Sequence, residues 1–272
     1  MEPKTEEELS EVIKATNTPL IIKGGGTRCK FTMNSKMIST RGFGGILDYT
    51  PGTLTMVAGA GTLLSEIEGA LAKEGQMLAF EPADYRQLLQ ANDYSTIGGV
   101  FAANVSGSRR VQVGAARDFL LGVKFIDGSG NKIRSGGRVM KNVTGYDLVK
   151  LLAGSWGTLG VITEVSFKVM PMPETEATLL LNISDHDKAV VAMSRAICSP
   201  YEVSGLLFLP VNKQVYIRIE GFEASVRYRL EKLNQLLCEF GDVAFVEENA
   251  SKTYWLEFGA MKSIKSTSGD IW

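Results

Sequence analysis

Residues 95–163 read STIGGVFAANVSGSRRVQVGAARDFLLGVKFIDGSGNKIRSGGRVMKNVTGYDLVKLLAGSWGTLGVIT. Thirteen of the 29 glycines in this 272-residue chain fall between Gly98 and Gly160. Glycine lets backbone approach a ligand closely and take up positive φ. Inside strands and helices it costs order, so this density reads as ligand-binding loops more than as packing. Arg109, Arg110, Arg117, Arg134 and Arg138 are interleaved with the glycines. Glycine with Arg, Ser, Thr and Asn fits a backbone cradle around a phosphorylated ligand. A series of tight turns between short strands is the competing reading.

Composition narrows the classes. Lys and Arg number 29 against 30 Asp and Glu, a net charge of −1. That balance argues against a nucleic-acid surface or a basic membrane-binding face. No apolar run approaches the roughly 20 residues of a membrane helix. The first residues, MEPKTEEELSEVIKA, are acidic and amphipathic, unlike a secretory leader. Cys29, Cys198 and Cys238 are far apart, and no C-x-x-C occurs. Neither a zinc site nor an iron–sulfur cluster is supported, and reduced thiols in a cytoplasmic protein are the simplest reading.

Upstream, residues 5–15 read as a helix, with Thr5 and Glu8 at capping-box spacing and Leu9, Val12 and Ile13 on one face. Residues 20–23 (LIIK) form a short strand that feeds Gly24-Gly25-Gly26-Thr27-Arg28. Consecutive glycines after a strand expose several amide N–H groups in one concavity, which suits a pyrophosphate; a flexible turn is the alternative. Residues 46–49 and 53–58 read as strands around a Pro51-Gly52 turn. Gly59-Ala60-Gly61-Thr62-Leu63-Leu64, a helix over 63–73 and Glu81 imitate a dinucleotide fingerprint. Leu64 replaces the third glycine and no βαβαβ series follows, so a Rossmann domain is disfavoured. Residues 120–126 and 132–134 read as a hairpin around Asp127-Gly128-Ser129-Gly130. A helix follows over 147–152 and a long strand over 161–170.

Met170-Pro171-Met172-Pro173 breaks the pattern and marks a domain boundary. Beyond it come a strand (178–183), a helix (185–196), two strands (203–209 and 214–220), a long helix (223–240) and a strand (242–246). That β-α-β-β-α-β order is ferredoxin-like.

STIGG, AANVSGSRR, GAARDFLLGV, GGRVMKNVTGYDLVKLLAGSWGTLGVIT and KVMPMP, in this order, resemble the FAD-binding domain of the flavoprotein family that includes vanillyl-alcohol oxidase and para-cresol methylhydroxylase (PCMH). Within it, the run from Val139 is most similar to the FAD-binding (E) subunits of bacterial glycolate oxidase, or glycolate dehydrogenase. The resemblance covers residues 10–173 and implies an α+β chain. Its parts would be a two-subdomain FAD-binding PCMH-type domain (1–173) and a ferredoxin-like cap (174–272), the cap ending short of the stretch that follows in those subunits.

The resemblance implies a set of cofactor residues: Gly24, Gly25, Gly26 and Thr27 for the pyrophosphate; Pro82 in a loop near the flavin; Thr96, Ile97, Gly98 and Gly99 in a second flavin-contacting loop, which Asn104, Ser106 and Gly107 continue; Gly114, Arg117 and Asp118; and Gly160, Val161 and Ile162 on the adenine side. Relatives that attach flavin covalently carry a His near Thr27 and Arg28. The only His here, His186, lies far downstream and Cys29 reads as a small buried thiol, so the expectation is non-covalent FAD.

Oxidising a 2-hydroxy acid calls for a base, usually His, and a cation for the carboxylate, usually Arg. Residues 1–173 contain no His, and nothing in the sequence selects among Tyr146, Asp147 and Arg138, so the catalytic residues stay unassigned. The resemblance therefore implies an FAD subunit of a multi-subunit glycolate dehydrogenase. It would work with a second FAD subunit that binds the 2-hydroxy acid and with an iron–sulfur subunit. It would be cytoplasmic, or peripheral to the inner membrane through those partners. The alternatives are a self-sufficient FAD-dependent 2-hydroxy-acid (D-lactate type) dehydrogenase and a non-catalytic assembly subunit.

Overall fold

The computed structural model describes residues 1–28, 36–137 and 146–262. Cys29, Arg138, most of the VMKNVTGYDL motif and the last ten residues lie outside them. The chain divides into two units. The first comprises residues 1–106, 115–171 and 260–262 of the described chain; the second comprises Gly107–Gly114 and Met172–Gly259.

In chain order the first unit opens with α1 (Glu6–Lys14), where Thr5 Oγ1 accepts from the Glu8 amide at 3.2 Å, one half of the expected capping box; the Glu8 carboxylate accepts from the Lys4 amide at 2.8 Å instead of the Thr5 amide. Parallel strands β1 (Leu20–Lys23) and β2 (Lys36–Ser39) follow, then β3 (Ile46–Thr50) and β4 (Thr55–Gly59) around a 3-10 turn over Pro51–Thr53. Next come α2 (Leu64–Ala72), β5 (Gln76–Met77), α3 (Arg86–Leu89) and α4 (Ile97–Ala102). α5 (Arg110–Val113) belongs to the second unit. α6 (Ala116–Phe119), β6 (Leu120–Ile126), β7 (Lys132–Gly136), α7 (Leu148–Leu152), β8 (Val161–Lys168) and β9 (Met170–Pro171) complete the first. β3-β4-β8-β6-β7 is a five-stranded antiparallel sheet, and β5 pairs with β9.

Four phenylalanines hold α4 to that sheet. Phe101 on α4 meets Phe167 of β8 at 5.5 Å between ring centroids and Phe80 at 5.6 Å, and Phe80 meets Phe119 at 5.4 Å. Each such pair contributes about 0.5–1.5 kcal/mol beyond its burial. A second cluster of Leu9, Ile13, Ile38, Ile126 and Val161, with Ile22 packed against it, fixes β1.

The second unit runs β10 (Thr175–Asn182), α8 (His186–Ile197), β11 (Gly205–Leu209), β12 (Gln214–Gly221), α9 (Glu223–Leu237), β13 (Val243–Glu247) and α10 (Glu248–Gly259). Its antiparallel sheet has the order β11-β12-β10-β13, the ferredoxin-like arrangement. Leu179, Leu181, Val215, Ile217 and Ile219 form one core with α8 and α9, whose contribution includes Ala189, Ala192, Leu233 and Leu237.

Alternate residues of the same strands build a buried polar network. The Trp255 indole N–H donates to Thr178 Oγ1 at 2.8 Å, and Ser251 Oγ donates to Glu176 Oε1 at 2.7 Å. The Arg218 guanidinium lies 4.6 Å from the Trp255 ring centroid and pairs with Glu220 at 3.3 Å. Arg109, from the Gly107–Gly114 excursion, pairs with Glu220 at 2.9 Å.

Two expectations need correction. Thr96–Gly99 is not a loop: Thr96 is the N-cap of α4, and Gly98 and Gly99 lie inside the helix. The glycine density is also partly a packing solution. A Cβ on Gly98 would sit 2.6 Å from the Ala60 Cβ, and one on Gly160 would sit 2.7 Å from the Ile126 carbonyl oxygen.

Candidate functional site

An open cleft in the first unit lies between two glycine-bearing walls. One wall is the end of β1 and the loop after it, from Ile22 to Arg28. Facing it are the start of α4 and the turn containing Trp156, Gly157 and Gly160. The loop can lie where it does because Gly25 has no side chain; a Cβ there would collide with the Tyr94 carbonyl. Gly26 has φ +70°, a conformation that glycine adopts without strain.

The opposite wall is fixed by backbone hydrogen bonds. The Ile97 and Gly98 amides donate to the Thr62 and Ala60 carbonyls at 3.0 and 2.9 Å, and the Ala60 amide to the Thr163 carbonyl at 2.8 Å. The Trp156 amide donates to the Ala102 carbonyl at 2.9 Å. The hydroxyls of Thr27 and Ser95 stand 3.1 Å apart and join the two walls.

The four consecutive amides of Gly24, Gly25, Gly26 and Thr27 donate to no acceptor among the described residues. Buried backbone donors are nearly always paired, so a row of open ones beside a cleft fits an anionic ligand. Lys23 and Arg28 both line the cleft, and none of its described lining residues is Asp or Glu. The Arg28 guanidinium lies 5.8 Å from the Tyr85 ring centroid. Lys23 Nζ pairs with Asp93 Oδ2 at 3.0 Å, and Arg41 pairs with the other oxygen, Oδ1, at 2.8 Å.

The hydrogen bond from Lys23, then that from Arg41, holds the Asp93 carboxyl below the usual carboxylate range. A depressed carboxylate pKa contributes stability above the unfolded pKa, and that contribution is lost as pH falls through the folded value. The trio is therefore intact at neutral pH. Asp93 is exposed enough that solvent screening keeps its contribution small.

Of the residues expected to hold cofactor, Gly24, Gly25, Gly26, Thr27, Thr96, Gly98, Gly99, Gly160 and Ile162 line this cleft. Ile97 and Val161 alternate with them but are buried in the core. Pro82, Asn104, Ser106, Arg117 and Asp118 are in the first unit and outside the lining. Asn104 Oδ1 accepts from the Arg117 amide at 2.8 Å, Ser106 Oγ from the Ala116 amide at 2.9 Å, and Asp118 Oδ2 from the Ala115 amide at 2.8 Å. Gly107 and Gly114 bound the excursion that belongs to the second unit. Sequence reasoning missed Lys23, Thr40, Ala60 and Trp156 as lining residues. Trp156, about half exposed at a φ of +55°, carried a usable signal: an aromatic residue between two glycines in a tight turn. His186 is on α8, its ring edge-on to Phe208 at 5.3 Å.

Fold and cleft together define a flavin-binding domain of the vanillyl-alcohol oxidase/PCMH type. The family described as "FAD binding domain" matches residues 1–136, and the chain belongs to it. FAD is the cofactor of this family, and the open amides, the two cations and the acid-free lining fit its pyrophosphate.

The chain is 38% identical over 229 residues to the glycolate oxidase subunit GlcE of Escherichia coli K12, covering 84% of this chain and 63% of that protein. It is 28% identical over 270 residues to the glycolate oxidase subunit GlcD of Bacillus subtilis 168, covering 90% of this chain and 56% of that one. This chain thus spans less than two thirds of the length of either. Among solved structures, alkyldihydroxyacetonephosphate synthase matches with a TM-score of 0.71 at 20% identity, covering 95% of this chain and 54% of that one. 4-Ethylphenol oxidase from Gulosibacter chungangensis matches with a TM-score of 0.71 at 12% identity, over 95% of this chain and 60% of that one. These likenesses establish the shared fold.

Proposed function

We propose that this chain is the FAD-binding subunit of a multi-subunit 2-hydroxy-acid dehydrogenase, with glycolate the substrate and FAD held non-covalently. The observation that carries the FAD part is the row of open amides from Gly24 to Thr27 beside Lys23 and Arg28. The assignment to a glycolate-oxidising assembly rests on the 38% identity to a protein named as a glycolate oxidase subunit.

FAD, when bound, supplies a two-electron acceptor for oxidising an alcohol to a carbonyl. The residues of this chain bind and orient it. The Gly24–Thr27 amides donate to anionic oxygens, Lys23 and Arg28 offset their charge, and Trp156 presents an aromatic surface in the same cleft. Among the described residues of the first unit no histidine offers a base, and no cluster of three His, Cys, Asp or Glu could hold a metal ion. The likeness to glycolate oxidase subunits supports a partner subunit that binds and deprotonates the substrate and an iron–sulfur partner that takes the electrons. Among the described residues no helix is long and apolar enough to cross a membrane.

Steady-state glycolate oxidation with a dye acceptor tests the reading. The chain alone, loaded with FAD, is expected to be inactive and to gain activity with its partner subunits. Turnover of glycolate or D-lactate by the chain alone would favour a self-sufficient dehydrogenase. Turnover of the assembly unchanged after this subunit's FAD is removed would favour an assembly role.

A further inference from the structure

We propose that Lys23, Asp93 and Arg41 form an ion-pair exchange that sets the affinity of the cleft for a diphosphate: Lys23 changes partner from Asp93 to the cofactor, and Arg41 keeps Asp93 compensated when it does. The inference rests on FAD being the ligand of this cleft.

Lys23 is the last residue of β1, immediately before the open amides, and it lines the cleft. Its side chain lies along Gly26, where a Cβ would stand 3.1 Å from Nζ and closer still to Cε. Asp93 is absent from that lining and helps to wall a neighbouring hollow formed by Gly26, Thr27 and residues 89–93. The Lys23 ammonium therefore stands at the border between the cradle and a carboxylate outside it. Its flexible stem and three donors let it change partner without moving backbone.

The two oxygens of Asp93 are divided, Oδ2 to Lys23 and Oδ1 to Arg41. Losing one cation leaves Asp93 with the other, so the exchange strands no charge. Both side chains of the Lys23–Asp93 pair are partly exposed, at 30% and 39%. Such a pair is weakly held, so a diphosphate desolvated against four amides can outcompete it.

Three variants give opposed signs. The readout is the dissociation constant of FAD, from quenching of flavin fluorescence, at low and high salt. Lys23→Met should weaken binding by about tenfold or more and flatten its salt dependence, because a charge-assisted contact is lost. Lys23→Arg should restore most of the affinity. Asp93→Asn should tighten binding several-fold by releasing Lys23. Arg41→Met, which removes no lining residue, should weaken binding several-fold because Asp93 then holds Lys23 alone.

The proposal is overturned if Lys23→Met binds FAD as the parent does, or weakens it while leaving the salt dependence unchanged. Weaker binding by Asp93→Asn would overturn it too, since Asp93 would then be an anchor and not a competitor. If Lys23→Met does not fold, the signs for Asp93→Asn and Arg41→Met still decide. Failure of the parent chain to bind FAD at all would instead strike the FAD assignment.

Discussion

The cleft of the first unit and the buried polar face of the second unit's sheet are built from the same residue types, and they do opposite things with them. In the second unit, Arg109 and Arg218 are each at least nine-tenths buried and share Glu220, while Thr178, Ser251 and Trp255 satisfy one another. In the cleft, Lys23 and Arg28 line open space without a carboxylate among the described lining residues, and four amides in a row have no acceptor there. A cation enclosed in the fold with its carboxylate is structure. A cation at the wall of a cleft, beside a row of open backbone donors, is a site even where a carboxylate outside the lining pairs with it, as Asp93 does with Lys23. Residue type alone does not separate the two; the open space and the unused backbone donors do.

The comparison breaks most visibly at Gly25. A Gly25→Val substitution drives a side chain into the Tyr94 carbonyl and pushes apart the walls of the cleft. FAD binding should be abolished, as read by loss of the bound-flavin absorption band, while the second unit keeps its melting transition. Retained flavin would mean that the loop is not the cradle.

Next in size is Glu220→Ala. It leaves the Arg109 and Arg218 guanidiniums buried without their shared carboxylate, and breaking a buried pair costs about 3–5 kcal/mol. Chemical denaturation should show that loss in the second unit. A cost below about 1 kcal/mol would place the pair with weak surface bridges and undo the contrast.

Thr178→Val should cost less, about 1–3 kcal/mol, by leaving the Trp255 indole N–H and Ser251 without their common partner. Trp255 fluorescence should shift as its surroundings change. Because this network belongs to the structural half of the comparison, FAD affinity should be unaltered.

Much of this was legible in the sequence, for identifiable reasons. The Thr5 cap, the 120–134 hairpin and the β-α-β-β-α-β order of the second unit follow from local pattern, and the structure has each of them. The Gly24–Thr27 segment was legible as a loop because three glycines follow a strand, but the same pattern suits a flexible turn; that it walls a cleft came from the structure. α10 was not read. The sheet face it covers carries Glu176, Thr178 and Arg218, so the helix needs no continuous apolar stripe and has only Ser251 and Trp255 buried.

Arg109 reads in sequence as one of the arginines of a phosphate loop, whereas its place is a buried ion pair. Spacing cannot report that, because its partner Glu220 is 111 residues away. Lys23 reads as the polar end of a strand; only the cleft around it and the carboxylate of Asp93 give it a role.

The central claim is that the Gly24–Thr27 cleft holds FAD non-covalently. The most direct test is to load the purified chain with FAD, record the visible spectrum, precipitate with acid and read the flavin in pellet and supernatant. The account predicts a bound-flavin band before precipitation and all of the flavin in the supernatant afterwards. Flavin retained in the pellet would show a covalent bond, and no band after loading would show that the cleft does not hold FAD; either result would contradict the account.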